Sequence, residues 1–164
     1  MSDDEGASNN ELLIVAAKQD SEDILEDIFS QPETYDINHV DSVGNTALHY
    51  AAQFGSLTAA ELLLKQPNIK LDIANKLEGD TPLHKAVQYE DANVSLEIVK
   101  LLIEAGADTT KRNKNRQKPE DLVKPDSQQL KTLLQKASMA LQVDARDIAA
   151  EDSDDDGESA SGSD

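Results

Sequence analysis

Gly44-Asn45-Thr46-Ala47-Leu48-His49-Tyr50-Ala51-Ala52 decides the fold, because it returns 35 residues later as Gly79-Asp80-Thr81-Pro82-Leu83-His84-Lys85-Ala86-Val87. A period of this size marks stacked structural units rather than one closed core. The residue choices have mechanical reasons. Thr46 and Thr81 are suited to capping a helix by accepting an N–H, and Pro82 is preset for a first helical turn. Gly44 and Gly79 belong to the tight turn before each capped helix. The small pairs Ala51-Ala52 and Ala86-Val87 let two helices approach closely.

Outward from these copies the pattern fades in both directions. Thirty-five residues before the first copy stands Leu13-Ile14-Val15-Ala16-Ala17, which keeps the Leu and the paired Ala but lacks the Gly and Thr. Thirty-seven residues after the second copy stands Arg116-Gln117-Lys118-Pro119-Glu120-Asp121-Leu122, which keeps only the Pro frame. Each start is followed by apolar residues at helical spacing: Ile24-Leu25 with Ile28, Leu57 with Leu62-Leu63-Leu64, Leu96 through Ile103, and Leu130 with Leu133-Leu134. Gly106-Ala107-Asp108 stops a helix, since Gly takes a left-handed conformation cheaply. The expected unit is turn, short helix, loop, second helix, occurring about four times.

Thr-Pro-Leu-His-x-Ala, followed by Ile-Val-x-Leu-Leu and Gly-Ala-Asp, resembles the ankyrin repeat. The resemblance implies an all-α solenoid of helix-turn-helix units joined by β-turn fingers. Its repeats are placed at about 10–40, 41–75, 76–112 and 113–138, the first and last acting as polar caps. The domain is then 9–138, between an acidic stretch at 1–8 and a C-terminal extension with an acidic tail at 139–164. The layout is also similar to small fungal ankyrin proteins with such a tail. In the family the histidine of this motif is structural, bonding the Thr hydroxyl and neighbouring loop backbone. His49 and His84 are therefore expected to be structural, together with Thr46, Thr81, Pro82 and Gly106.

Composition narrows the function. The chain has 164 residues, 33 acids against 15 Lys and Arg, and no cysteine. A net charge of −18 argues against nucleic acid as a partner. Without cysteine there is no disulfide framework or thiol chemistry, which leans toward cytoplasm and nucleus. The longest apolar run, Leu12 to Ala17, is far shorter than a membrane span needs, and Met-Ser-Asp-Asp-Glu lacks the features of a secretory leader. Residues 151–164 carry seven acids and no base, and residues 1–8 carry three and no base; both stretches are expected to be disordered. Two charged segments remain: Asp20 to Asp36 with seven acids and no base, and Lys111, Arg112, Lys114, Arg116 and Lys118 with no acid among them.

No Ser-His-Asp set, paired carboxylate or Gly-rich phosphate loop stands out, so neither catalysis nor a cofactor is expected. Asp152 to Gly157 imitates half a calcium loop, but Ser163 stands where a bidentate Glu is required, and no metal site is assigned. His39, at a repeat junction, has no evident partner. The resemblance implies a concave partner-binding face, built from Tyr50, Gln53, Phe54, Lys85, Gln88 and Tyr89 with the turn tips Val43, Asn45, Leu77 and Asp80. Phe54 and Tyr89 occupy equivalent positions, and the alternative for both is packing against the neighbouring repeat. Glu90 to Ser95 replaces Gly55-Ser56, an insertion expected to form an edge loop. The basic segment could meet RNA, an acidic partner or the acidic tail. Ser2 and Ser153, each followed by acids, are candidate phosphorylation sites.

The expected activity is that of a monomeric, non-enzymatic protein-interaction module, without a small-molecule substrate or membrane. One alternative is an acidic-tailed escort for a basic client such as a ribosomal protein or histone. Another is an inhibitory or regulatory subunit of an enzyme complex.

Overall fold

The computed structural model describes residues 8–153, with side-chain surroundings described through Val143. Among them are seven α-helices and no strand: α1 (Asn9–Gln19), α2 (Glu22–Phe29), α3 (Ala47–Gln53), α4 (Leu57–Leu64), α5 (Pro82–Val87), α6 (Ala92–Ala105) and α7 (Gln128–Ser153). Short 3-10 turns occupy Pro32–Thr34 and Pro119–Leu122. The four expected units are α1–α2, α3–α4, α5–α6 and the second 3-10 turn with α7. Each of the first three is a helical hairpin. The inner helices α1, α3 and α5 stack in a row, and the outer helices α2, α4 and α6 form the layer behind them.

The core runs continuously through that stack. Ala16, Ala17, Ala51, Ala52, Ala86 and Val87 are all buried, and their small side chains let the inner helices approach. Leu13, Leu48 and Leu83 repeat one buried position through three units, while Leu25, Leu63, Ile98 and Leu102 bring the outer layer onto it. A unit of this size cannot bury its apolar face alone, so stability comes from neighbour on neighbour.

Local signals start and stop these helices. Ser8 caps α1 in a reciprocal box with Glu11. The Thr46 and Thr81 hydroxyls accept from the His49 and His84 amides at 3.2 and 3.4 Å. Gly106 closes α6 at φ 108°, and the Ala107 amide reaches back to the Leu102 carbonyl at 2.9 Å.

Three details differ from the sequence reading. The first is that the Glu90–Ser95 insertion is not an edge loop. Asp91 caps α6 through the Asn93 and Val94 amides, so the added residues become an extra first turn. Four residues are about one turn, which keeps the apolar stripe in phase. Ser95 then bonds the Ala86 carbonyl through its hydroxyl, whereas Ser56 bonds Ala51 through its amide. The second is in the last unit, where a 3-10 turn replaces the first helix. Lys118 and Asp121 stand in place of Thr and His, and Pro125 disfavours helix at the preceding residue. Finally, residues 151–153, expected to be disordered, end α7, which runs on through 139–150, a stretch whose helicity the sequence left open. Expectations for residues 1–7, Ser2 included, and for 154–164 lie outside the described residues.

Candidate functional site

The turns between units are built before any surface is available for binding. Asp41, Asn75 and Asn113 each open a finger and accept, through a side-chain oxygen, the amide of Asn45, Asp80 and Gln117 respectively at 3.0 Å. The fingers are then cross-linked: Asn75 Nδ2 donates to Asn45 Oδ1 at 2.8 Å, and Asn113 Nδ2 to Asp80 Oδ1 at 2.9 Å. Backbone bonds from Lys76 to Val43 and from Lys114 to Glu78 run alongside. Asn45 and Asp80, expected at exposed tips, are only 6% and 4% exposed. A buried polar side chain is retained where its hydrogen bonds are complete, and these two join one finger to the next.

The histidines are part of the same ladder. His49 Nδ1 accepts from the Thr46 amide at 3.0 Å, which leaves Nε2 to donate to the Asp80 carbonyl of the next finger at 2.9 Å. His84 repeats this with the Thr81 amide and the Gln117 carbonyl at 3.1 and 2.8 Å. Burial holds the His49 imidazole below its ordinary value, against the opposing pull of the Asp80 carbonyl. Both rings are fully buried, so neither is presented to a substrate.

Several expected groove residues are likewise committed elsewhere. Tyr50 is 9% exposed and its hydroxyl donates to Asp41. Burial alone would raise the Asp41 carboxyl, but the Tyr50 hydroxyl and the Asn45 and Val43 amides outweigh it and hold the group low. Lys85 pairs with Glu78 at 3.1 Å and Asp80 at 3.7 Å. The Asn75 amide, and then Lys85, keep Glu78 low against its burial. Tyr89 is half-buried with its ring over Gly55, where an added Cβ would come within 2.8 Å of three ring carbons. Phe54, at the equivalent position, leans on Tyr50 with ring centroids 6.2 Å apart and remains 46% exposed. Gln53 and Gln88 are exposed, Val43 is half-buried, and Leu77 at a finger tip is 66% exposed.

A wide opening among the described residues lies one unit before the residues named from the sequence. A cleft of about 720 Å3 runs between α1 and the first finger, lined by Glu11, Ile14, Val15 and Lys18 on one side and by His39 to Ser42 on the other. Val15 is exposed on its wall, and the Lys18 ammonium sits 4.5 Å over the Tyr50 ring. The period marks this cleft in advance: Val15 and Lys18 stand 35 residues before Tyr50 and Gln53, and Ser42 stands 35 before Leu77. The weak motif of the first unit hid the correspondence. In the basic segment, Arg112 donates to the Arg116 carbonyl at 2.8 Å and Lys114 to the Lys76 carbonyl. All but Lys118 of the five are exposed there. Ser153 ends α7.

Comparison with known proteins agrees with this architecture. A family model described as "Ankyrin repeats (3 copies)" matches residues 13–113. The ankyrin repeat-containing protein YGL242C of Saccharomyces cerevisiae is 41% identical over 148 residues, covering 84% of this chain and 82% of its own. Human NF-kappa-B inhibitor delta is 33% identical over 58% of this chain, and the match spans 32% of that protein. Human ankyrin repeat domain-containing protein 53 is 31% identical over 52% of this chain, spanning 16% of its own length. The repeat, the Thr-His ladder and these matches lead to one conclusion: the chain belongs to the ankyrin repeat family, whose members are protein-interaction modules.

Proposed function

We propose that the chain is a non-enzymatic scaffold that binds a protein partner across its concave face, centred on the first unit and the finger tips. The observation that carries this reading is the cleft between α1 and the first finger. It has an apolar wall at Val15 and Ile14, a held cation at Lys18, and polar finger groups opposite. A few polar groups around an apolar surface suit a peptide or a folded protein edge. Leu77 on the next finger and the exposed Gln53, Phe54 and Gln88 extend the surface along the stack. The buried histidines and the ion-paired Lys85 hold it rigid. A chain without cysteine suits work in the cytoplasm or nucleus. The reading is tested by placing charge in the cleft and on the next finger tip, Val15→Asp with Leu77→Asp, and following capture of the partner beside thermal unfolding. Loss of capture at unchanged stability supports it. Undiminished capture removes it.

A second reading, an escort for a basic client, is favoured by α2. Glu22, Asp23, Glu26 and Asp27 are all exposed, and among the described residues none has a cation within 4.0 Å. Long-range attraction of that kind speeds capture and is screened by salt. Under this reading, capture weakens steeply as salt rises. The partial likeness to NF-kappa-B inhibitors supports a blocking role toward whichever partner is bound.

A further inference from the structure

In the outer layer α2 packs against α4 and α4 against α6, but α7 stands off from α6. The cause lies in the last unit, where a 3-10 turn takes the place of a first helix. Helix α7 packs on that turn, with Leu130 and Leu134 buried, and the Ser138 hydroxyl meets that of Thr109 at 2.6 Å. Leu130, Leu134 and Ser138 are spaced four residues apart, so these contacts hold one side of the helix. On its other side a groove of about 410 Å3 separates it from α6.

The lining of this groove has an order. Leu96 and Leu133 are half-buried in it, and each is followed about one turn later by a lysine, Lys100 on α6 and Lys136 on α7. A smaller cavity adjoins the groove where the two helices begin, at Ala92 and Asn93 on α6 and Gln128 on α7. The helices therefore run in the same direction, and both lysines sit toward the same end. Both are exposed, and neither has a carboxylate within 4.0 Å among the described residues, Glu97 and Glu104 of α6 included. Met139 and Val143 follow Lys136 by three and seven residues, which puts them on the same side of α7. They are 62% and 50% exposed. Along α7 the groove thus reads apolar, cationic, apolar, over about 15 Å from Leu133 to Val143.

We propose that the groove between α6 and α7 receives an acidic amphipathic helix of a protein partner. Its apolar side chains rest on Leu96 and Leu133 at one end and on Met139 and Val143 at the other, and its carboxylates meet Lys100 and Lys136 between them. A helix laid in a groove presents anchors at this spacing. Charge selects the occupant, because two unpaired ammonium groups between apolar surfaces reject a basic segment and favour an acidic one. Exposed ion pairs contribute little by themselves. Apolar contact therefore supplies the affinity, and the lysines supply the preference. At about 0.15 M salt the screening length is about 8 Å, which mutes the repulsion from the net charge of −18 and spares contacts made at the lysines. The groove belongs to the outer layer, so the proposal stands independently of the cleft between α1 and the first finger.

The probe is a synthetic peptide of about four helical turns, with leucines at helical spacing toward its ends and two glutamates between them. Its control carries lysine in place of glutamate. Added to the full-length chain, the acidic peptide should shift the amide NMR signals of Leu96, Lys100, Leu133, Lys136 and Met139 with a Kd below about 1 mM, and the control should bind at least about tenfold more weakly. Lys100→Glu with Lys136→Glu should reverse that order. Met139→Gln with Val143→Gln should weaken both peptides. All four side chains are exposed, so the fold tolerates these changes. The proposal is overturned by the absence of shifts up to that concentration, by equal binding of the two peptides, or by a preference that survives charge reversal. Shifts centred on Val15 and Lys18 overturn it too. So do the same signals moving with protein concentration alone, which would put a second copy of the chain in the groove.

Discussion

At the residue scale, the strongest constraint is the neutral histidine. His49 serves as an acceptor to its own helix cap and a donor to the next finger, and protonation would abolish the first of these roles. Its folded value is depressed by burial, so below about pH 6.5 the unfolded chain binds more protons than the folded one. Stability from this group is full above that point and is lost as pH falls. The unfolding temperature should drop as pH falls below about 6.5, and the His49 ring signals should titrate below the range of a free imidazole. A ring titrating at the ordinary value would contradict the assignment. Two aromatics that look identical in the repeat also separate here. Tyr89→Ala should destabilise by roughly 1–2 kcal/mol, since its ring packs on the backbone at Gly55, whereas Phe54→Ala should cost under about 0.5 kcal/mol. Gly55→Ala should be as damaging as Tyr89→Ala, because the new methyl group meets the ring and the backbone sits at φ 68°. Chemical denaturation of the three variants measures the order.

At the element scale, helices with an explicit cap and period were legible, and those without were not. Thr46, Thr81, Pro82 and Gly106 announce their helix ends because each acts within a few residues of its own position. The extra turn of α6 was hidden because insertion length alone does not distinguish a loop from a turn; Asp91 decides it by bonding two amides. Asp91→Ala should therefore cost about 1 kcal/mol and fray the first turn of α6, read as faster amide exchange at Asn93 and Val94. Unchanged exchange there would mean that packing, not the cap, holds the turn. The last unit fails to form a first helix for the converse reason. Lys118 and Asp121 supply a single amide-to-carboxylate bond of 2.9 Å where Thr81 and His84 supply a reciprocal pair.

At the scale of the whole molecule, stacking turns local motifs into a surface that no single unit contains. The order of units and the buried row of Leu13, Leu48 and Leu83 follow from the period. The cleft was less legible, because partner-facing positions were inferred from the two strongest repeats. Those repeats use the same positions for internal bonds: Asn45 and Asp80 link fingers, and Lys85 is ion-paired. The first unit lacks that network at Val15 and Lys18, and its finger leaves an opening beside them. The measurement that most directly tests the account compares partner binding by three full-length proteins: the unmodified chain, Val15→Asp with Leu77→Asp, and Glu61→Lys with Glu97→Lys on the outer helices. The account predicts at least about a tenfold loss of affinity, close to 1.4 kcal/mol, for the cleft variant and little change for the outer-helix variant. The reverse pattern, with all three proteins equally stable, would contradict it.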